Sequence, residues 1–500
     1  MNQRKAGVVL SYISMGLHAI IGFVYIPMLL MFLSKEQYGL YQLVGSMVAY
    51  LAIMDFGLAN TTIRYYSQLL AKKDVEGQEN LLATMLRLYT GISCLIAILS
   101  IVLLYVLLPF YTKTLSSTEL VTAKYVYWIM IFNLMIVVPG NIFSAIIQAH
   151  EKFIFLRCAN ILNIILQPLL IFVILHFKAS IVALVVVQTT CNIALFSANV
   201  YYSIFKLGAK FHLHKWEGKF VKEILFFSFF IFLNAIMDQI YWKTGQLILG
   251  AIIGTVSVAI YSVAIQLTMS YISFSCNISS VFLPKLSALA VKDDLTEINN
   301  IFIKVGRLQF YVVMLIFFGF LLFGKQFIFL WVGKSFLPAY YYTLLFMGAL
   351  IIPLIQNTGI LILQAKNKHP FRAIVYLIIA IINVIVSIPL AKKYGAIACA
   401  TTTSICLFIG TGLIINIYYK KLGIAIIEFW KQITKLLLPM AIPVISFSIV
   451  LNYYTIQNTV VNLLVQIILF IAFYCFVLWK IDFNDYEKNL VLSVIRKFKK

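Results

Sequence analysis

The chain has 500 residues, 62% of them hydrophobic and only 11% charged, with a mean hydropathy of +0.98 and a formal net charge of +22. That balance excludes a soluble globular domain and places the chain in a bilayer. The apolar runs are long and continuous, which also excludes a strand barrel built from short alternating segments.

A helix crosses the hydrocarbon layer in roughly 20 apolar residues. Fourteen runs qualify, at 8–33, 39–62, 83–110, 120–147, 155–175, 179–205, 224–249, 256–283, 305–330, 339–364, 371–391, 395–419, 434–452 and 459–480. The first is too long for a signal-peptide core and lacks a small-x-small cleavage site, so it reads as a retained helix. It carries His18 about ten residues in, roughly 15 Å deep at 1.5 Å per residue. The end of the second run and the residues just after it read MDFGLANTTIRYY, residues 54–66, which holds Asp55 and Arg64 nine residues apart. Asp55 lies roughly 10 Å from the end of its helix. On an ideal helix nine residues turn 900°, which points the two charges to opposite sides about 13.5 Å apart. They cannot pair, so Asp55 needs a partner on another helix or water in a cavity. His18 on the antiparallel neighbour is one such partner.

Further along, the run 224–249 contains Asp238 and Lys243. Charges deep in membrane helices are costly and face a cavity or a partner, so Asp55, Asp238 and His18 are candidates for proton or sodium coupling. Each also admits a structural reading, as a polar contact that pins helices together. Lys243 reads as a ligand or as a snorkelling interface lysine. Arg87 and Arg307 stand at helix starts, suited to phosphate contact or to anchoring at the leaflet surface. The terminal DYEKNLVLSVIRKFKK reads as a short basic amphipathic helix on the inner surface, or as a disordered positive tail.

The chain repeats itself. Residue n laid on residue n+220 places Tyr41 on Tyr261, Lys72 on Lys292, Asp74 on Asp294 and Arg87 on Arg307, and places His18 on Asp238. An offset of 216 puts QAHEK, 148–152, on QAKNK, 364–368. The matches argue for two homologous six-helix lobes inserted the same way up, hence related by a pseudo-twofold axis along the membrane normal. Residues 1–205 form the first lobe and 224–419 the second. A basic linker spans 206–223, two extra helices occupy 420–480, and 481–500 is a basic tail. The predicted fold class is therefore an all-α polytopic membrane protein of about 14 helices.

With the N-terminus inside, 30 of the 39 Lys and Arg fall on the inner side. The basic charge is thus a topology signal rather than a nucleic-acid footprint, and both termini are expected inside. The seven cysteines lie in or beside apolar runs without a C-x-x-C pair, so buried free thiols are expected, with no disulfide framework and no metal site. Gly333-Lys334-Ser335 lacks the upstream glycine of a phosphate loop, because position 328 is Ile. No ATP site is expected. No H-E-x-x-H or G-x-S-x-G motif and no acidic pair in an outer loop supports hydrolase or glycosyltransferase chemistry, so the chain does not read as an enzyme.

Residues 33–74, LSKEQYGLYQLVGSMVAYLAIMDFGLANTTIRYYSQLLAKKD, resemble the amino-terminal signature of the polysaccharide transporter family, within the multidrug/oligosaccharidyl-lipid/polysaccharide flippase superfamily. The resemblance rests on Tyr38-Gly39-Leu40-Tyr41, on Asp55-Phe56-Gly57-Leu58, on Arg64 near the inner end, and on the basic-acidic loop that follows. Helix count and lobe repeat match along the whole chain. The resemblance implies two lobes like those of multidrug exporters of the superfamily, plus two C-terminal helices. It implies a flippase carrying undecaprenyl-diphosphate-linked oligosaccharide from the inner to the outer leaflet of a bacterial plasma membrane by alternating access. The product would feed capsule, O-antigen or exopolysaccharide synthesis, with membrane lipids and other polysaccharide-assembly membrane proteins as partners and no nucleic acid. Arg64, Lys243, Arg87 and Arg307 are then the candidate substrate contacts, since guanidinium pairs well with diphosphate. Asp55, Asp238 and His18 are the candidate coupling groups for H+ or Na+, with no cofactor. The alternative is a cation-coupled multidrug exporter of the same superfamily, for which Asp55 and Asp238 would be binding acids. A lipid II flippase is a closer variant; a polysaccharide polymerase and a structural scaffold are the readings from other classes.

Overall fold

The computed structural model describes every residue except 1–2, 217, 292–293, 367, 369, 454–458 and 499–500; a further set of helix residues, many of them in 219–234, is described by backbone alone. Among the described residues the chain is helical, with no strand. Backbone groups have no water to bond within lipid, and helices satisfy them internally.

The helices run in order: α1 Gln3–Phe32, α2 Lys35–Ala52, α3 Leu58–Lys72, α4 Val75–Tyr111, α5 Ser117–Ala149, α6 Phe153–Phe177, α7 Ile181–Tyr201, α8 Gly218–Ile252, α9 Thr255–Ser280, α10 Leu283–Val291, α11 Leu295–Val332, α12 Pro338–Ile355, α13 Asn357–Ala365, α14 Pro370–Tyr394, α15 Ala396–Leu407, α16 Ile415–Lys421, α17 Ile426–Tyr453, α18 Val460–Val477 and α19 Asp485–Phe498. Thirteen helical segments among the described residues are long and apolar enough to span a membrane, and the expected run at 224–249 falls within α8. The chain is a multi-pass membrane protein.

Local chemistry sets the helix starts. Ser34 and Gln37 exchange side-chain bonds in a capping box that opens α2, and Ser116 with Glu119 does the same for α5. Asp74 caps α4 by accepting from the Gly77 amide, and Asp294 caps α11 by accepting from the Glu297 amide. The two caps are 220 residues apart. So are the starts of α2 and α9, and of α4 and α11. The ends of α5 and α13 are 216 apart. The sequence repeat is thus a repeat of helix boundaries.

The chain forms two compact units, Met1–Ser262 with Ile388–Ala396, and Val263–Ser387 with Ile397–Lys500. The packing boundary falls later than the repeat boundary. α8, which the repeat assigns to the second lobe, packs against α2, α3 and α4 of the first unit. The reason lies in close contacts. A Cβ at Gly39 would collide with the Thr255 carbonyl, and one at Gly250 would lie 2.6 Å from a Leu43 methyl. The Tyr111 hydroxyl donates to the Leu247 carbonyl at 3.3 Å. The Tyr-Gly-x-Tyr element is therefore a packing device. Tyr38 is 0% exposed, Gln42 Nε2 donates to its hydroxyl at 3.0 Å, and the Tyr41 hydroxyl donates to Gln188 Oε1 at 3.4 Å.

Two runs read as continuous helices are broken. In the first unit the chain leaves α2 through a 3-10 turn at Ile53–Asp55, then passes Phe56 at φ 52° and Gly57 at φ 65° before α3 begins. Two successive left-handed residues stop an α-helix. The nine-residue ideal-helix geometry between Asp55 and Arg64 therefore does not hold. In the second unit α12 ends at Ile355 and α13 starts at Asn357, with Gln356 between them. Its side chain exchanges two hydrogen bonds with Asn416, at 2.9 and 3.0 Å, and Asn416 Oδ1 also accepts from Trp430 Nε1 at 2.8 Å.

The cysteines depart from expectation in part. All seven are free, but Cys94, Cys158, Cys276 and Cys475 are exposed on helix faces, and only Cys191, Cys399 and Cys406 are buried. In a membrane helix an exposed apolar face is solvated by lipid, so hydrophobicity does not decide burial within protein.

Candidate functional site

The break at Asp55-Phe56-Gly57 carries the first polar cluster. Its 3-10 turn aims the Asp55 carboxylate at α5, where Asn141 Nδ2 donates to Asp55 Oδ1 at 3.2 Å. Asp55 is half-buried. The Tyr89 hydroxyl of α4 is buried within electrostatic reach of that carboxylate and has no hydrogen-bond partner among the described residues. Phe56, whose backbone is left-handed, holds its ring 4.9 Å from Phe232 of α8.

Asn141 also lines a cavity of about 250 Å³ between α5, α6 and α7. Its polar wall is Asn141, Ser144 and Gln148 from α5, Arg157 and Asn160 from α6, and Asn192 and Asn199 from α7. Asn192 Nδ2 donates to Asn133 Oδ1 at 3.2 Å, which orients that amide. Gly140 makes room for the aromatic part of the wall, since a Cβ there would sit 2.8 Å from the Phe196 ring. Asn199 is buried and the other amides and Arg157 are half-buried; polar groups withdrawn from water in a membrane protein are costly and serve a ligand or a partner.

The other expected site residues are scattered. His18 is exposed on α1, which packs along α6, and it forms no hydrogen bond or ion pair among the described residues. The expected meeting of His18 with Asp55 does not occur, because Asn141 occupies that role. Arg64 is exposed on α3, its guanidinium 5.6 Å from the Tyr65 ring. Arg87 is exposed on α4. Asp238 is exposed on α8, and Lys243 is half-buried there, flanked by Gln239 and Thr244, both of which bond the Tyr50 hydroxyl. The repeat places Asp55 on Ser275, whose hydroxyl donates to the Leu354 carbonyl at 2.6 Å, so the acid has no duplicate there.

Arg307 has a different employment from the one expected. Nε donates to Glu487 Oε1 at 2.7 Å, and Nη2 donates to Glu487 Oε2 at 3.0 Å and to the Tyr311 hydroxyl at 2.9 Å. Glu487 belongs to α19, so the terminal segment is a docked helix rather than a tail lying free on a surface. A bidentate carboxylate pair uses the guanidinium geometry that a phosphate would need.

At the linker, the Asn80 side-chain oxygen accepts from the His214 and Lys215 amides, each at 3.0 Å, and Glu79 lies 3.1 Å from His214 Nε2. The linker is thereby tied to the first turns of α4.

Arg157 and the asparagines escaped the sequence reading. Arg157 was absorbed into the basic charge of an inner loop, and a single Asn in an apolar run is a weak signal. The spacing was nonetheless informative: Asn192 and Asn199 are seven residues apart, hence on one helix face, as are Arg157 and Asn160 at three.

A family model described as polysaccharide biosynthesis protein matches residues 5–290. The chain belongs to that family. A curated relative, the probable low-salt glycan biosynthesis flippase Agl15 of Haloferax volcanii, is 23% identical over 224 residues. The match covers 44% of this chain and 46% of the relative, so the chain spans about half the length of the curated relative it matches. Among solved structures, the fold is similar to the lipid II flippase MurJ in an inward closed conformation, with a TM-score of 0.74 at 18% identity over 94% of this chain and 98% of that one. It is also similar to an inward-facing MATE-family multidrug resistance transporter of the MOP superfamily, with a TM-score of 0.65 at 13% identity over 84% and 99% of the two chains. The helical membrane fold expected from the sequence is the fold of these proteins.

Proposed function

We propose that the protein is a flippase for a lipid-linked oligosaccharide, carrying it from the inner to the outer leaflet for the assembly of a surface polysaccharide. The observation that carries this reading is the polysaccharide-biosynthesis family match over residues 5–290. The Haloferax relative, described as a glycan biosynthesis flippase, and the similarity to the MurJ fold support it.

The substrate has a charged diphosphate, polar sugars and an apolar tail, and each needs its own environment. Exposed Arg64, Arg87 and half-buried Lys243 are the proposed diphosphate contacts, with guanidinium the better match for paired phosphate oxygens. Arg307 leaves that set because Glu487 uses it. Transport proceeds by alternating access and involves no covalent chemistry. With no phosphate-loop motif in the sequence, energy comes from an ion gradient or from removal of product outside. Asp55 and Asp238 are the proposed H+ or Na+ coupling groups, and His18 is the weaker third. The membrane is proposed to be a bacterial plasma membrane with both termini inside, on the strength of the 30-to-9 distribution of Lys and Arg. Other polysaccharide-assembly membrane proteins are the proposed partners.

Deleting the gene tests the reading. Loss of surface polymer, with lipid-linked oligosaccharide inaccessible from outside, is the expected result. Normal polymer and normal carriers would overturn it. The second reading, a cation-coupled multidrug exporter, is favoured by the similarity to the MATE fold and by the intramembrane acids Asp55 and Asp238. It is distinguished by resistance to cationic drugs on expression.

A further inference from the structure

The cavity between α5, α6 and α7 has an unusual inventory. It presents four asparagines, one glutamine, one serine and one arginine, and among the described residues no carboxylate lines it. Arg157 is the one charged residue among those described there. The nearest acid in the hydrogen-bond chain is Asp55, which accepts from Asn141. The cavity is also long. Gln148 lies one residue from the end of α5 and Val137 eleven residues earlier, about 16 Å along the helix at 1.5 Å per residue.

Two of its polar atoms are left over. Arg157 Nε and Asn199 Oδ1 are both buried with no hydrogen-bond partner among the described residues, and Asn199 is only 7% exposed. A buried donor or acceptor left unsatisfied costs about 1–3 kcal/mol, and more where the group is charged. Arg157 and Asn199 line the same cavity, one with a positive charge and one with a neutral amide. A ligand suited to both brings an oxyanion for Arg157 and a hydroxyl for Asn199.

The rest of the wall narrows the ligand class. Asparagine and glutamine each offer donors and an acceptor, as a sugar hydroxyl does in return. Phe196 supplies an aromatic face and Val137, Leu156 and Leu195 an apolar one, suited to the C–H face of a pyranose. The volume is below the roughly 300–1,000 Å³ of pockets for drug-sized ligands, which restricts the occupant to about one ring.

We propose that this cavity is a binding site for a single pyranose carrying an oxyanion, with Arg157 on the oxyanion and the asparagines on the hydroxyls. The carboxylate of a uronic acid and the phosphate of a sugar phosphate share this chemistry. The proposal rests on the flippase reading only for which molecule delivers the sugar; the site itself stands on the cavity.

The test uses the full-length protein in lipid nanodiscs and reads saturable thermal stabilisation by glucuronate, glucose 1-phosphate, glucose or inorganic phosphate. At least one of the two anionic sugars half-saturates at a concentration at least tenfold below that of glucose and of inorganic phosphate. The tighter of the two identifies the oxyanion. Arg157→Gln abolishes the advantage over glucose, and Arg157→Lys keeps part of it. Gly140→Ala, whose Cβ would sit 2.8 Å from the Phe196 ring and so disturbs the cavity wall, weakens both sugars. Should Arg157→Gln fail to fold, Asn199→Asp carries the test, since it places a negative charge in the cavity wall and removes the preference for anions. Equal half-saturation by glucose and both anionic sugars would overturn the proposal, as would tighter binding of inorganic phosphate or an anion preference that survives Arg157→Gln or Asn199→Asp. The deletion phenotype separates the two readings. An Arg157-dependent anion preference with normal surface polymer sinks the flippase reading and leaves the site standing. Lost polymer without the preference does the reverse.

Discussion

Arg307 of α11 and Glu487 of α19 form a two-pronged ion pair, 2.7 Å from Nε to Oε1 and 3.0 Å from Nη2 to Oε2, with side chains only 11% and 3% exposed. The pair is embedded in a network. The Tyr311 hydroxyl donates to Glu487 Oε2 at 3.2 Å, and the Asn484 amide donates to the same oxygen at 2.9 Å. Asn484 Oδ1 accepts in turn from the Glu487 amide at 2.9 Å, so one residue both starts α19 and docks it. Removing one partner of a buried pair costs about 3–5 kcal/mol, because the other is stranded. Glu487→Gln keeps the shape and loses the charge. At the lower figure the undocked population rises roughly a hundred-fold, at 1.4 kcal/mol per decade. Hydrogen exchange over 485–498 should accelerate accordingly while α1 through α7 keep their protection.

Gly39 is tested by a single methyl. The Cβ of Gly39→Ala meets the Thr255 carbonyl, which is backbone and cannot rotate away. Overpacking of this kind costs about 3 kcal/mol. The variant should melt well below the parent, and Thr255→Ala should not restore it, because the obstacle is the main chain.

The helix break predicts a contrast between two glycines. Gly57 stands at φ 65°, where a side chain costs about 1–2 kcal/mol. Gly91 is inside α4, with nothing within 4 Å of an added Cβ. Gly57→Ala should lower the melting temperature. Gly91→Ala should leave it unchanged or raise it, since alanine favours helix by about 0.5–1 kcal/mol over glycine. Equal effects would contradict the left-handed assignment of the break.

His150, in the turn between α5 and α6, gives a pH dependence. Burial, followed by the nearby Lys152 charge, holds its imidazole below the ordinary value of 6.5. Its Nε2 lies 3.4 Å from the Tyr66 hydroxyl. The unfolded chain therefore takes up this proton at a higher pH than the folded one. The stability that goes with neutral His150 is fully present above pH 6.5 and declines as pH falls from there toward the folded value. His150→Gln should flatten the melting-temperature profile on the acid side of 6.5 and leave it unaltered above.

The helices and their repeat were legible because both are local. Asp74 and Asp294 were matched in the sequence, and each proves to be an N-cap of the helix that follows. The break at Asp55 was hidden, since Met54, Phe56 and Leu58 keep the run apolar while the backbone turns left-handed. Arg307 was misread for another reason. Its partner lies 180 residues away, and no periodicity links α11 to α19. The Asn141–Asp55 bond and the cavity beside it are likewise tertiary, assembled from α5, α6 and α7 by packing that a hydrophobic run does not specify. Membrane helices add a difficulty of their own. Lipid-facing and protein-facing sides are both apolar, so the pattern that marks a buried face in water is absent.

Transfer itself is the most direct test of the central claim. The purified full-length protein would be reconstituted into liposomes loaded with an undecaprenyl-diphosphate-linked oligosaccharide from the same cells. Accessibility of the sugar to an added glycosidase would then be followed in time, with protein-free liposomes alongside. The account predicts that accessibility rises past the half fixed by the outer leaflet toward completion, and only in vesicles that contain the protein. Accessibility that stays at that half, in intact vesicles holding folded protein under an imposed proton or sodium gradient, would contradict it.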